Sequence, residues 1–229
     1  MSNNNLYTKE TYTNKEDWLK NRGLGGTSAS VITGNSPYKN ILELFTEIVC
    51  PTTKDVETTN ESMNYGTECE PIIRKLFAID FAKKYTVHTP EGMEMYRRID
   101  KPYMTATLDS VLTENETGRK GVHEIKTHDI KNKDDELDWK DHIPQNYYEQ
   151  VIWYLVVLPD FEFVELTAKL NFYDYFDPSG KKLKKTEIHY YHIERKDVAK
   201  DIKNLEKMVT RFWEKNVNGG IIPEMKISF

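Results

Sequence analysis

Cysteine is scarce in this chain of 229 residues, which contains only Cys50 and Cys69. Two cysteines cannot build a disulfide framework, and these two lack the paired spacing that zinc and iron–sulfur sites need. We therefore expect two free thiols that pack as small apolar side chains and bind no metal.

Long apolar runs are also missing from the sequence. No stretch of about 18 apolar residues occurs, and the first residues lack a basic segment followed by an apolar one. We expect neither a membrane-spanning helix nor a secretory leader, and hence a cytoplasmic protein.

The chain carries no excess of positive charge, since 32 Lys and Arg residues face 37 Asp and Glu residues and give a formal net charge of −5. Phosphate binding rewards local Lys and Arg density, so this balance argues against a protein that coats nucleic acid by bulk attraction. It does not exclude an enzyme that acts on DNA. A site for divalent cations must itself be rich in carboxylates, and DNA can bind to a local basic face.

The composition is that of a globular protein, with 38% hydrophobic and 30% charged residues. We find no internal repeat and no linker that would divide the chain. A single domain over residues 1–229 is therefore predicted, with the informative motifs at about 18–158 and further strands and a helix at 159–229.

The apolar periodicity predicts helices first, then a mixed sheet crossed by one helix, which is an α/β or α+β layered core. Residues 51–62 and 128–142 are polar and predict loops. The predicted helices cover 13–22, a short segment ended by Gly34, 41–49, 63–85, 144–158 and 195–217. The predicted strands cover 94–98, 104–112, 122–127, 162–171 and 187–193.

Two of the predicted strands form a hairpin that carries acidic residues on both arms. Asp109 lies on one strand, and Glu124 and Lys126 lie on one face of the next. Hydrolysis of a phosphodiester needs oxygen ligands for Mg²⁺ or Mn²⁺ and a lysine placed to orient or deprotonate water. Alone, an Asp fifteen residues before Glu-x-Lys is also typical of a solvated strand face.

Polar residues near this hairpin add to the pattern. Gln150 and Tyr154 lie one turn apart on an otherwise apolar helix, where buried polar groups need partners. Glu70 lies three residues before Ile73 and therefore borders the buried side of its helix. Each also has a plain structural interpretation: a satisfied core amide, a tyrosine that reaches the surface, and an acid that the helix dipole favours.

Five ordered motifs together resemble the YqaJ-type viral recombinase family, relatives of phage lambda exonuclease in the PD-(D/E)XK nuclease superfamily. The matching segments, which span about residues 18–158, are Arg22-Gly-Leu-Gly-Gly-Thr-Ser-Ala-Ser-Val-Ile-Thr-Gly-Asn-Ser-Pro-Tyr38, Gly66-Thr-Glu-Cys-Glu70, Leu108-Asp109, Glu124-Ile-Lys126 and Gln150-x-x-x-Tyr154. The resemblance implies a restriction-endonuclease-like core, in which a central mixed sheet is flanked by helices.

The resemblance also implies an activity: Mg²⁺-dependent 5′ to 3′ digestion of one strand of linear double-stranded DNA. The product would be 3′ single-stranded tails for an annealing protein in phage-type recombination, in the cytoplasm of the bacterial host. By the same resemblance, the protein would form a ring-shaped homotrimer around DNA.

The family's residue roles carry over to matching positions of this chain. Asp109, Glu124 and the carbonyl of Ile125 would bind one Mg²⁺ or Mn²⁺, and Glu70 with Asp109 would bind a second. Lys126 would act on the attacking water.

Gln150 would steady this site from its helix, and the glycine-rich segment would receive the 5′ phosphate with backbone amides at a helix start. Family members usually have Ser-Asp after the two glycines, where this chain has Thr27-Ser28. A gapless match places Lys20 rather than Arg22 at the family's basic position. The residues expected to contact DNA or the 5′ phosphate are Lys20, Arg22, Thr27, Ser28 and Tyr154.

Two rival functions stay open at this point. Gln-x-x-x-Tyr also resembles RecB-like nuclease modules, so the chain could be an endonuclease or such a module. Alternatively, it could be a non-cleaving protein that binds DNA ends or a partner on the same fold, which the complete set of acidic and basic residues disfavours.

Overall fold

Two β-sheets and seven α-helices make up the part of the chain that the computed structural model describes, which is residues 6–51, 61–140, 142–176 and 179–224. The strands are β1 (Tyr7–Tyr12), β2 (Tyr85–His88), β3 (Met93–Arg98), β4 (Thr105–Ala106), β5 (Ser110–Glu114), β6 (Lys120–Asp129), β7 (Phe163–Phe176) and β8 (Lys182–Glu194). The helices are α1 (Lys15–Asn21), α2 (Gly26–Thr33), α3 (Ile41–Val49), α4 (Glu61–Asp80), α5 (Lys133–Lys140), α6 (Gln145–Val157) and α7 (Ala199–Arg211), which continues as a π-helical segment (Phe212–Asn218).

The larger sheet is mixed and has the strand order β2-β5-β6-β7-β8. Only β6 and β7 run parallel within it, and the chain between them passes through α5 and α6. The described residues from Val151 to Val157 in α6 are all buried, which explains why this helix is apolar on every side. The smaller antiparallel sheet has the order β1-β3-β4.

The strand predicted over 104–112 is divided between the two sheets. Thr105 and Ala106 pair with β3, whereas β5 begins at Ser110 and pairs with β6 through Ser110 and His123. The chain changes sheets across 107–109, so Asp109 lies directly before β5. An alternating apolar pattern continues through such a change of partner, because it reports burial and not the identity of the neighbouring strand.

Other predicted boundaries were also wrong. Strands β1 and β2 were not predicted, and the helix expected to reach residue 85 ends at Asp80. Helix α5 lies inside the predicted loop 128–142, where Trp139 is buried and acidic residues occupy the first turn. In the other predicted loop, 51–62, residues 52–60 lie outside the described residues, and Glu61 already belongs to α4.

Helix α4 buries fewer of its apolar side chains than its composition indicates. Ile73 and Phe77 are buried, but the side chains of Ile72 and Ile79 are 69% and 65% exposed. Phe77 packs against the larger sheet. The first turns of α4 face the same cavity as Asp109, which directly precedes β5.

The structure bears on two further sequence predictions, which concern membrane-spanning helices and the two cysteines. None of the described helices is long and apolar enough to cross a membrane. Cys50 is exposed and Cys69 is partly buried, so Cys50 does not pack as the small apolar side chain that we expected.

Candidate active site

The site begins where the pairing of β5 with β6 ends. Beyond the pair Ser110–His123, the β6 backbone is no longer bonded to β5, and the Ile125 N–H donates instead to Asp109 Oδ2 at 2.7 Å. The N–H and C=O of one strand residue leave the strand on the same side. The Ile125 carbonyl therefore faces the side on which Asp109 lies, as the expected metal ligand would.

Glu124 and Lys126 form an ion pair on one face of β6. Glu124 is buried, and its Oε1 accepts from Lys126 Nζ at 2.6 Å and from Gln150 Nε2 at 2.9 Å. Its second oxygen, Oε2, is buried without a hydrogen-bond partner among the described residues. A buried carboxylate oxygen without a partner is energetically costly, and it is an open coordination position for a cation.

Gln150 is held in place from two sides. Its Nε2 also donates to the Tyr154 hydroxyl at 2.7 Å, and Tyr154 is buried behind it. Helix α2 approaches so closely that a Cβ on Gly26 would lie 2.7 Å from Gln150 Cγ. Gly26 is therefore needed for the contact between α2 and α6, a role separate from phosphate binding.

Glu70 reaches the same place from α4. Its carboxylate is ion-paired with Arg74, one helical turn further along. Pro71, which cannot donate a backbone hydrogen bond inside the helix, follows Glu70 directly.

These side chains line one cavity of about 430 Å³ between α4, α6 and the ends of β5 and β6. We call it the carboxylate cavity and define it by Glu70, Asp109, Glu124, Lys126 and Gln150. The structure thus brings together the five residues predicted to be catalytic, with the Ile125 backbone among them.

The side chains that define the carboxylate cavity include three carboxylates and only one lysine. Burial, together with the negative charges of Glu124 and Glu70, raises the pKa of Asp109 well above its usual value. Burial alone would lower the pKa of Lys126, but the charges of Glu124 and Asp109 outweigh it, so this pKa is raised. Lys126 is therefore protonated at neutral pH.

A hard divalent cation fits this donor set, because Mg²⁺ and Mn²⁺ prefer carboxylate and carbonyl oxygens. The open oxygen of Glu124 and the raised pKa of Asp109 both indicate a deficit of positive charge. No three acidic, histidine or cysteine side chains among the described residues already stand at metal-site spacing. Lys126 and Arg74 hold the oxygens of Glu124 and Glu70 instead.

A family model describing the YqaJ-like viral recombinase domain matches residues 17–162, which is more than half of the chain. The chain belongs to this family. A curated relative, protein YqaJ of Bacillus subtilis (strain 168), is 27% identical over 224 residues, which are 96% of this chain and 62% of that protein. The chain therefore spans less than two thirds of that relative's length.

Solved structures with the same fold include an alkaline exonuclease, LHK-Exo, from Laribacter hongkongensis. It superposes with a TM-score of 0.60 at 17% identity and covers 90% of this chain and 94% of its own. A second structure of LHK-Exo, in complex with dAMP, gives a TM-score of 0.54 at 16% identity and covers 90% and 99%. The predicted fold class, a mixed sheet flanked by helices in a PD-(D/E)XK-like core, is confirmed.

The two basic residues considered for the 5′ phosphate, Lys20 and Arg22, lie in different places in the structure. Lys20 is exposed on α1 and forms an ion pair with Glu16, in which Lys20 Nζ lies 2.8 Å from Glu16 Oε1. The Arg22 guanidinium lies 5.0 Å from the centre of the Trp18 ring, and a Cβ on Gly25 would lie 3.2 Å from one of its nitrogens. Arg22 is thus the basic residue beside the start of α2.

The other residues predicted to contact DNA also lie in different surroundings: Thr27 and Ser28 line a groove, and Tyr154 is buried. Thr27 and Ser28 line a groove together with Lys126 and Gln150, so they lie next to the carboxylate cavity. Tyr154 is only 2% exposed. It supports Gln150 from behind, and direct contact with DNA would require it to become accessible.

The sequence patterns missed several residues of the candidate active site. Arg74 holds Glu70 and was visible as an i,i+4 partner. The Tyr147 ring lies 5.3 Å from Lys126 Nζ, and helical spacing places it on the Gln150 side of α6. Thr107 lines the carboxylate cavity but carried no recognisable motif.

A neighbouring cavity of about 320 Å³ shares Glu70, Thr107 and Asp109 with the carboxylate cavity. Trp18 and Arg74 also line it, and in each a buried side-chain nitrogen, Nε1 of Trp18 and Nε of Arg74, lacks a hydrogen-bond partner among the described residues.

Proposed function

We propose that this protein is a divalent-metal-dependent DNA exonuclease that hydrolyses phosphodiester bonds at the ends of linear duplexes. The observation that carries the proposal is the group formed by Asp109, Glu124 and Lys126, with the open Glu124 oxygen. Family membership supports it, and so does the fold shared with LHK-Exo, an alkaline exonuclease that was also solved with dAMP.

The residues would divide the work as follows. Asp109, Glu124 and the Ile125 carbonyl would hold one Mg²⁺ or Mn²⁺, and Glu70 with Asp109 would hold a second. When bound, these ions supply Lewis acidity, which activates water and offsets charge on the phosphate. Glu70 must exchange its pairing with Arg74 to take part.

Lys126 acts as a charged hydrogen-bond donor in this proposal. The negative charges of Glu124 and Asp109 raise its pKa, so Lys126 carries a proton that it can share with water or with a phosphate oxygen. It would orient the attacking water or a phosphate oxygen. Gln150 would hold the Glu124 carboxylate at a fixed angle through the 2.9 Å hydrogen bond.

We extend the proposal to the finer predictions: 5′ to 3′ polarity, 3′ single-stranded tails, a single-strand annealing partner and a homotrimer. A linear duplex labelled on either the 5′ or the 3′ end tests polarity, and a covalently closed circle of the same sequence tests the need for an end. We expect early release of the 5′ label and an intact circle. Nicking of the circle would favour the endonuclease alternative, and stable binding without cleavage would favour the DNA-end binding protein.

The position of Arg22 leads to a prediction about substrate ends. Duplexes with 5′ phosphates should be digested about ten- to a hundredfold faster than duplexes with 5′ hydroxyls, because charge-assisted contacts contribute roughly 1.5 to 3 kcal/mol. Arg22→Ala should remove this preference. Initial rates on both substrates, measured at matched salt because phosphate contacts weaken as salt rises, check it.

Lys20→Ala is the matched control for this experiment, since Lys20 is exposed and paired with Glu16. It should leave the preference for 5′ phosphates unchanged. Equal rates of the wild type on both ends would show that the start of α2 does not bind a terminal phosphate, whatever the fate of the metal site.

A further inference from the structure

A second space adjoins the carboxylate cavity and is not explained by metal binding. It has a volume of about 300 Å³ and shares Lys126, Tyr147 and Gln150 with the carboxylate cavity. We call it the tyrosine groove. Its other lining residues that matter here are Thr27, Ser28, Tyr38, Lys39 and Asn146.

Tyr38 is the unusual member of the tyrosine groove, because its side chain is 81% exposed. The turn that presents it, between α2 and α3, is fixed by the Ser36 hydroxyl, which accepts from the N–H groups of Tyr38 and Lys39 at 3.3 Å. Single exposed aromatic residues are ordinary on protein surfaces. This one lies on an ordered turn at the edge of a groove that opens onto candidate catalytic residues.

Tyr147 lies close to both Tyr38 and Lys126. Burial and the neighbouring Tyr38 raise the pKa of Tyr147 to about 12, although the Lys126 charge opposes the shift. The Lys126 ammonium lies 5.3 Å from the Tyr147 ring centre and 2.6 Å from Glu124 Oε1. A planar group stacked on Tyr38 would therefore occupy a groove that Tyr147 and Lys126 also line.

The charges of the tyrosine groove favour an uncharged occupant. Lys39 is ion-paired with Glu47 at 2.5 Å, and Lys126 is paired with Glu124. The lining also includes hydroxyl and amide side chains that are polar but uncharged: Thr27, Ser28, Ser30, Ser36, Asn146 and Gln150. Uncharged hydroxyls and amides beside an aromatic ring suit a nucleoside, which has apolar base faces and a hydroxyl-bearing sugar.

We propose that the tyrosine groove binds the terminal nucleoside of the strand being digested, with Tyr38 stacking on its base. Every base has an aromatic face, so stacking holds a base without selecting a sequence. An enzyme that removes nucleotides one after another needs such indifference to sequence. The proposal rests on the exonuclease function and adds the subsite that positions the departing nucleotide.

The test combines two variants with two substrates. The first substrate is a 5′-phosphorylated duplex with a normal terminal nucleotide, and the second carries a tetrahydrofuran abasic residue there. The wild type should release the abasic residue about tenfold more slowly, measured as kcat/KM. On the normal duplex, kcat/KM of Tyr38→Ala should be about tenfold lower than that of the wild type. On the abasic duplex, the two proteins should have the same kcat/KM.

Tyr38→Phe is the matched control, because it keeps the aromatic ring and removes the hydroxyl. It should keep the wild type's preference for the normal duplex over the abasic one, because that preference depends on the aromatic ring. An unchanged melting temperature of Tyr38→Ala, expected for so exposed a residue, shows that the loss does not reflect unfolding. Equal losses by Tyr38→Ala on both substrates, or no loss on the normal duplex, would overturn the proposal.

A binding measurement separates this proposal from the exonuclease function. With Ca²⁺ in place of Mg²⁺, which should support binding with poor cleavage, 2-aminopurine at the terminal position reports stacking by loss of fluorescence. The wild type and Tyr38→Phe should quench it, and Tyr38→Ala should not. Quenching without cleavage in Mg²⁺ would refute the proposed function alone, and cleavage with equal quenching by all three proteins would refute the stacking role alone.

Discussion

Asp109→Asn is expected to lower turnover on linear duplex DNA by at least about a thousandfold while the protein stays folded. Asp109 is the carboxylate that both proposed cations share, and its loss removes several kcal/mol of transition-state stabilisation. Asparagine keeps the shape of the side chain and can still accept from the Ile125 N–H. Initial rates in excess Mg²⁺ measure the effect, and turnover within threefold of wild type would refute the metal-site assignment.

The same variant should gain stability when no metal is present. Because the pKa of Asp109 is raised in the folded state, the folded protein holds the proton more tightly than the unfolded chain. Stability in a chelator is therefore lost as the pH rises from the usual pKa of 3.8 through the raised value. Asp109→Asn lacks this loss, so its melting temperature should exceed that of the wild type by a margin that grows with pH.

Glu165→Gln is the matched control for Asp109→Asn. Glu165 is also a buried carboxylate of the central sheet, but it lies on the opposite face from Glu124 and is held by Tyr85 and His192. Its replacement should leave nuclease turnover unchanged. A comparable loss of turnover would mean that the rate reports the integrity of the sheet and not the metal ligands.

Lys126→Met is expected to lower turnover by at least about a hundredfold, because it removes the charged donor that orients water or phosphate. It also breaks the buried pair with Glu124, which should cost about 3 kcal/mol of stability in a chelator. Mg²⁺ should restore part of that stability, since a bound cation replaces the lost charge, but it should not restore turnover.

Lys120→Met provides the comparison on the same strand. Lys120 lies at the other end of β6, where it pairs with Asp160 and is about half exposed. Its loss should change neither turnover nor the response to Mg²⁺. If Lys126→Met kept a rate near that of the wild type, Lys126 would be only a structural counter-ion of Glu124.

Much of the site followed from local spacing. The turn at 115–118 and the alternation of strand side chains place Asp109 beside Glu124 and Lys126, and helical spacing places Gln150 and Tyr154 on one face of α6. These relations depend on residues near one another in sequence, so a pattern can predict them.

The rest depends on packing between distant segments. The break between β4 and β5 frees the Ile125 N–H for Asp109, and no apolar pattern reports that change of sheet. No local pattern places Tyr38 beside the site, because its neighbours Tyr147 and Lys126 are more than a hundred and about ninety residues away in sequence. The roles of the site residues, the single domain and the cytoplasmic location stay predictions.

Magnesium-dependent release of nucleotides from an end-labelled linear duplex tests the central proposal most directly. Wild type and Asp109→Asn are each incubated with the duplex in Mg²⁺ and in EDTA, and released nucleotides are counted over time. We predict release only by the wild type and only in Mg²⁺. Equal release in EDTA, or equal release by Asp109→Asn in Mg²⁺, would contradict a metal-dependent nuclease site at Glu70, Asp109, Glu124 and Lys126.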